Sequence, residues 1–261
     1  MDAIDTVTRN HVRDIIKGGR RLDGRGLTDF RNIRIETGLI QNAEGSAQVD
    51  IGNTRVLAGV KLDVDEPMED TPDQGNLIMS AELLPLASEK YETGPPSPDA
   101  IEFARVVDRG IRHGECFDLK SLFIEEGKVW GLFVDLYVLN YDGNLFDAGL
   151  LAAMSAIAGT RIPKYVNGKA DREDRTARLS IRNMVSSATF AKIGKSIVLD
   201  PSGDEEKAAD CRLTIATDGE TVRAMQKGGM GAFTQKEIDE LIGVSLNKHS
   251  GLKDMMTRAQ V

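Results

Sequence analysis

Three arginines offer the plainest chemistry in the chain. Arg105, Arg109 and Arg112 lie in a segment of helical periodicity. At about 100° per residue they fall within an arc of about 60°. Three guanidiniums on one stripe can contact successive phosphates of a nucleic acid. The same stripe can be a solvated face, or can pair with acids such as Glu102 and Asp108. A second place for chemistry follows the run Val129 to Leu139. Asp142-Gly143 is a tight-turn signal, because Gly accepts φ > 0 without a Cβ clash. Asp147 then stands where a helix N-cap would. After it the run Ala148, Leu150, Leu151, Ala152, Ala153, Met154, Ala156, Ile157 is apolar on every side, the mark of a buried helix. Backbone N–H groups at such a helix start can hold a phosphate. The side chains offered there are Leu145 and Phe146, with neither a hydroxyl nor a basic group.

Other chemistries find little support. The two cysteines, Cys116 and Cys211, are far apart and lack metal-type spacing, which reads as buried free thiols in a reducing cytosol. His11, His113 and His249 form no ligand pair, so no zinc site is expected. The formal net charge of −8 argues against a free-standing nucleic-acid binder but leaves room for a local basic face. Asp63, Asp65, Glu66, Glu69, Asp70 and Asp73, with no base among them, read as a solvated acidic loop over Asp63 to Gly75 that should repel phosphates. No stretch is apolar for long enough to span a membrane, and no signal-peptide core stands at the N-terminus.

The elements that must position these residues alternate strands and helices. Asp5 to Lys17 has helical spacing at Ile4, Thr8, Val12, Ile15 and Ile16, and Gly18-Gly19 ends it. Asn32–Leu39, Ser46–Ile51 and Thr54–Leu62 read as an antiparallel meander, and Leu77–Leu84 as a further strand. Ser97 is a predicted N-cap with Pro98 at the first helical position, and the helix runs to about Arg112. Its predicted apolar arc is Ile101, Phe103, Ala104, Val106, Val107 and Ile111. Lys128–Leu139 is a strand, and Ile162-Pro163 should close the buried helix. Val166 to Leu179 reads as a polar linker around Asn167-Gly168. Ser187–Ile193, Ser196–Leu199, Cys211–Thr217 and Glu220–Gln226 read as strands, with Asp218-Gly219 as a hairpin turn. A final helix opens with the capping box Thr234-Gln235-Lys236-Glu237 and carries the stripe Ile238, Leu241, Ile242, Ser245. Strands followed by a helix, twice over, predict an α+β protein built as a pseudo-duplicate.

Arg21-Leu22-Asp23-Gly24-Arg25, then Gly45-Ser46-Ala47 and Gly52 to Val60, resemble the opening of the RNase PH family. Ile101 to Asp108-Arg109, and Leu199-Asp200-Pro201 ahead of Asp210, extend the resemblance over most of the chain. It implies an α+β, RNase PH-like fold of two pseudo-duplicated halves, antiparallel-rich sheet with packed helices. The expected division is an N-terminal helical extension over 1–20, a first half over 21–166, and a linker with the second half over 167–261. Catalytic members degrade RNA from the 3′ end with inorganic phosphate as the attacking group, held by a Gly-Ser-Arg or Thr-Arg cradle at the start of the buried helix. Here that run is Asn144-Leu145-Phe146, and a phosphate would meet two apolar side chains. Two adjacent arginines ahead of the long helix are replaced by Pro98 and Asp99. Asp204 and Asp210 match the family's carboxylate pair for acid catalysis and metal binding, and are read as a relic.

The resemblance therefore implies a non-catalytic chain of the kind found in the archaeal exosome ring, with no catalytic residue, no metal and no cofactor. Its implied partners are a catalytic RNase PH-like exosome subunit, alternating with it in a hexamer of three copies each, RNA-binding cap subunits and single-stranded RNA, with no membrane. Arg105, Arg109 and Arg112 are the expected RNA contacts, and the expected location is cytoplasmic. The alternative is that the chain is itself an active phosphorolytic 3′-5′ exoribonuclease using Asp210.

Overall fold

The computed structural model describes residues 3–175 and 177–260, with side chains from residue 7 onward. The expected side-chain role of Ile4 lies outside the described residues. α1 (Ala3–Lys17) comes first, its Val12 and Ile16 packing on Ala191, Ile193 and Val198, and β1 (Ile33–Thr37), β2 (Gly45–Ile51), β3 (Thr54–Asp65), β4 (Asn76–Leu83), α2 (Pro98–His113), β5 (Phe123–Glu125), β6 (Lys128–Asn140) and α3 (Leu145–Ala158) follow. Short strands β7 (Arg161–Ile162), β8 (Lys164–Val166), β9 (Lys169–Asp171) and β10 (Ala177–Arg178) lead into the second half. That half is β11 (Ser186–Ile193), β12 (Ser196–Leu199), α4 (Gly203–Ala208), β13 (Cys211–Thr217), β14 (Val222–Gly229) and α5 (Gln235–Arg258). This is the α+β arrangement of antiparallel-rich sheets and packed helices that the resemblance implies.

The first sheet runs β1-β2-β3-β6-β4, with β5 paired to β6. β1, β2 and β3 form the predicted antiparallel meander. β6 then inserts between β3 and β4, antiparallel to the first and parallel to the second. Side chains alternate faces along a strand, so Val56, Ala58, Val60 and Leu62 of β3 share one buried face with Leu132, Val134, Leu136 and Val138 of β6. α3 lies across that face, touching β2 and β3, and its other side meets β11 of the second sheet. The second sheet runs β12-β11-β13-β14. Ser187 and Thr189 of β11 face α3, whereas Ala188 and Phe190 face the α5 side with Leu241. A helix between two sheets has no polar side to present, which explains why α3 is apolar all round. Burying each of its large aliphatic side chains contributes about 1.5–3 kcal/mol.

Several expectations need correction. Asp147 is not the N-cap of α3; Asn144 is, in the left-handed region at φ 55, and Asp147 is fully buried in the first turn. α3 ends at Gly159 rather than at Ile162-Pro163, which belongs to strand β7 and the residue after it. At the start of the expected linker, β8 and β9 pair as a hairpin about Asn167-Gly168. Ile101 leaves the predicted apolar arc: it is 49% exposed, and Ala100, Phe103, Ala104, Val107, Gly110 and Ile111 make the buried face. Asp63 and Asp65 end β3 rather than belonging to the loop. The acidic stretch does meet bases, Asp63 pairing with Arg172 at 3.3 Å and Asp73 with Lys120 at 2.8 Å. Both predicted capping signals hold: Ser97 accepts from the Ala100 N–H, and Thr234 with Glu237 forms a reciprocal box. α4 adds a helix between the predicted strands Ser196–Leu199 and Cys211–Thr217, and it opens with its own box at Ser202 and Glu205.

Candidate functional site

α2 presents the three arginines differently. Arg105 is exposed and has no side-chain partner among the described residues. Arg109 Nη1 donates to Gln226 Oε1 on β14 at 2.9 Å. Arg112 is committed to Asp108 through Nε (3.1 Å) and Nη2 (2.8 Å), and Nη2 also donates to the Leu77 carbonyl at 2.9 Å. Glu102 pairs with Arg212 at 2.6 Å and with none of the three. The shared stripe read from helical spacing is thus one free guanidinium, one singly held and one locked.

The start of α3 is built from four segments. Gly143 sits at φ 81, where an added Cβ would lie 2.4 Å from the Pro201 carbonyl oxygen and 2.7 Å from the Gly203 nitrogen. Only glycine allows that approach at that angle. The loop ahead of α4 is thereby packed onto the start of α3. The consequence is electrostatic: Glu206 of α4 accepts the Asn144 backbone N–H at 2.8 Å and the Tyr141 hydroxyl. An internal carboxylate therefore already holds a backbone donor that a bound anion at this helix end would use. Burial raises the Glu206 carboxyl above its ordinary value, though Tyr141 and the Asn144 N–H pull against it. The Tyr141 phenol is raised too, by burial and by the Glu206 charge. Phe146 is core: its ring meets Phe103 edge-on at 6.1 Å and carries the Arg212 guanidinium 4.2 Å above it. The buried Asp147 carboxylate accepts from Ser187 Oγ (2.6 Å), Thr189 N (2.8 Å), Thr189 Oγ1 (2.9 Å) and Asn144 Nδ2 (2.9 Å), joining α3 to β11. Burial pushes its carboxyl up to about 6 against those hydrogen bonds.

Beside this lies a clamp in which Arg21, Arg25, Asn144 and Asp200 belong to the motifs above and Arg31 and Glu205 do not. Asp200, fully buried, accepts from Arg31 backbone N (2.8 Å), Nε (2.9 Å) and Nη2 (2.8 Å), Arg25 Nη1 (2.9 Å) and Asn144 Nδ2 (2.6 Å). Burial pushes its carboxyl up, but the hydrogen bonds and charge of Arg31 outweigh that and hold it low. Arg21 makes a second buried pair with Glu205 and donates to the Leu199 and Asp200 carbonyls. Buried charges must be paired, and Arg21, Arg25 and Arg31 are three of the four arginines between α1 and β1. Their partners, 169 to 184 residues away in sequence, were not legible.

Asp204 and Asp210 engage different cations. Asp204 pairs with Lys207 at 3.3 Å, and Asp210 with Arg13 and, at 3.9 Å, Arg9 of α1, while accepting the Gly194 N–H. Among the described residues no group of three or more His, Cys, Asp or Glu side chains could hold a metal ion. Cys116 and Cys211 are buried and unpaired, and burial pushes the Cys116 thiol up to about 12, so it stays protonated and inert at neutral pH. His249 is buried, its Nδ1 2.9 Å from Ser186 Oγ.

Comparison with known proteins matches two family models, the 3′ exoribonuclease family domain 1 over 29–163 and domain 2 over 183–248. A relative from Thermococcus gammatolerans named "Exosome complex component Rrp42" is 45% identical over 260 residues, covering 97% of this chain and 95% of the relative. A solved chain described as "archaeoglobus fulgidus exosome with RNA bound to the active site" is 42% identical at TM-score 0.89, covering 97% of this chain and 99% of that one. Another, described as "Archaeal exosome core", is 40% identical at TM-score 0.86, covering 97% and 98%. The chain belongs to the 3′ exoribonuclease family of RNase PH-like proteins.

Proposed function

We propose that this chain is a non-catalytic subunit of an exosome ring that degrades RNA from the 3′ end by phosphorolysis. The observation that carries the reading is the Glu206 carboxylate on the Asn144 N–H at the start of α3. A phosphate arriving there meets a like charge and two apolar side chains, and like charges at hydrogen-bond range repel strongly where water is scarce. Relatives more than 40% identical over nearly their whole length are named exosome components, which supports membership in the assembly. In this reading catalysis belongs to an RNase PH-like neighbour, three copies of each alternating in a hexamer. This chain completes the neighbour's site and offers Arg105, Arg109 and Arg112 to the RNA. RNA-binding cap subunits dock on the ring, and the assembly is cytoplasmic. Among the described residues no helix is long and apolar enough to cross a membrane.

The test is an assay on poly(A) with phosphate. The purified chain alone should release no nucleoside diphosphate, and the chain co-expressed with its RNase PH-like partner should turn RNA over and sediment as one larger species. Turnover by the chain alone, abolished by Asp210→Asn, would overturn the reading in favour of an active exoribonuclease. Sedimentation of the pair as separate monomers would remove the ring.

A further inference from the structure

The ribbon formed by β7 and β10 sets Arg161 and Arg178 directly opposite each other. Opposed residues in an antiparallel pair share a face with Cβ atoms about 4.5–5.5 Å apart, and like charges placed so are destabilising. Both side chains are exposed, and neither has a side-chain partner among the described residues. With Arg175 they line an open cleft of about 390 Å³. Arg175 is held in place by the carbonyls of Arg172 (2.6 Å) and Ala43 (3.1 Å). The one acid in the lining among the described residues is Glu44, whose buried carboxylate is already shared by Lys61 (2.9 Å), the Leu62 N–H (3.0 Å), Arg172 (3.6 Å) and Arg175 (3.8 Å). The C-terminal end of α3 opens on the cleft at Gly159, and a helix end supplies about half a negative charge. The end of α5 reaches the cleft as well, at Gln260, so three guanidiniums face one engaged carboxylate and two helix ends that together supply about one negative charge. The cleft stays positive on a chain whose formal charge is −8.

Its remaining chemistry separates two kinds of anionic partner. Ile40, 38% exposed, lines the cleft, and its neighbour Leu39 is 46% exposed. Among the described residues no aromatic side chain lines it. Surfaces for single-stranded nucleic acid combine basic groups with aromatic stacking platforms. Protein interfaces instead enrich arginine around an apolar centre. We propose that this cleft is a docking site for an acidic segment of a partner protein. Carboxylates of that segment fork onto Arg161 and Arg178, the geometry for which guanidinium is suited, and an apolar side chain covers Ile40. The site lies at the far end of α3 from Glu206, and a helix of 14 residues is about 21 Å long. It is independent of the role assigned to the chain in RNA decay.

The experiment titrates a fluorescein-labelled peptide alternating glutamate with leucine into the full chain at low salt, with oligo(A) in parallel, both read by anisotropy. The peptide should bind, and Arg161→Ala with Arg178→Ala should weaken it at least about tenfold, as losing charge-assisted contacts does. Ile40→Ser should weaken it too, and Lys236→Ala, a surface charge on α5, should not. The double variant should melt no lower than the parent, because a repulsive pair has been removed. Absence of peptide binding, unchanged affinity in the double variant, or oligo(A) binding that is lost in that variant would each overturn the proposal.

Discussion

Asp200→Asn isolates the clamp beside α3. The substitution keeps the shape and removes the charge that faces Arg31 and Arg25, whose side chains are 8% and 13% exposed. Charge-assisted hydrogen bonds contribute roughly 1.5–3 kcal/mol each, and Asp200 accepts four from arginine, but such bonds are not additive. The better bound is the cost of stripping one partner from a buried ion pair, about 3–5 kcal/mol. Arg31 keeps the Asp142 carbonyl at 2.6 Å and its carboxylate at 3.6 Å, which places the expected loss towards the lower end. In melting temperature that is a fall of roughly 6–20 °C for a chain of about this size. Urea and thermal unfolding of the parent, Asp200→Asn, Arg31→Met and the double variant measure it. The double-mutant cycle should return a coupling of at least about 1 kcal/mol. A single variant within about 1 kcal/mol of the parent, together with additive effects, would refute the clamp as the device that fixes the loop before β1 to β12 and α3.

Millimolar phosphate should leave the melting temperature of the isolated chain unchanged, since only a ligand of the native state raises it; a rise abolished by changing Asp210 or the Asn144–Phe146 stretch would restore the active-enzyme reading, and loss on changing that stretch would contradict the occupied helix start. Among single alanine variants in the assembled complex, Arg105→Ala should weaken RNA binding most and Arg112→Ala least, because Arg112 must first leave Asp108; equal losses, or a larger one for Arg112, would show that these pairs rearrange freely. The triple variant should also make the slope of log affinity against log salt shallower by roughly 2, at about 0.7 per lost phosphate contact. Asp218, despite partial burial that pushes its carboxyl up, is held down to about 2 by the Thr221 and Glu220 N–H groups and Arg223. Its stabilisation is thus fully present above the unfolded value near 3.8 and fades as pH falls through about 2. Asp218→Asn should cost on the order of 1–2 kcal/mol at neutral pH and progressively less as pH falls through and below about 2, as unfolding across a pH series would show.

Local chemistry made most of the elements legible. Ser97-Pro98 and the Thr234–Glu237 box mark helix starts because the partners of the orphan N–H groups lie within three residues. The period-2 pattern marks β3 and β6, and the all-round apolar run marks α3 as buried, because each depends only on which faces meet water. The family motifs likewise identified the fold, and the missing hydroxyl and guanidinium at 144–146 were visible in the string itself. What filled that place was not. Glu206 meets Asn144 across 62 residues, Asp200 meets Arg31 across 169, and Arg13 meets Asp210 across 197. Helical spacing set three arginines on one stripe, but Gln226 and the Leu77 carbonyl, on strands that only the assembled sheets bring alongside α2, decided which of them stayed free. Asp147 shows the same limit: an acid before an apolar run has the composition of a cap, yet its carboxylate turns inward because Ser187 and Thr189 of β11 supply donors there. Side-chain type and spacing determine the elements and the chemistry on offer; long-range packing determines which charges are neutralised, and therefore which are left to bind a partner.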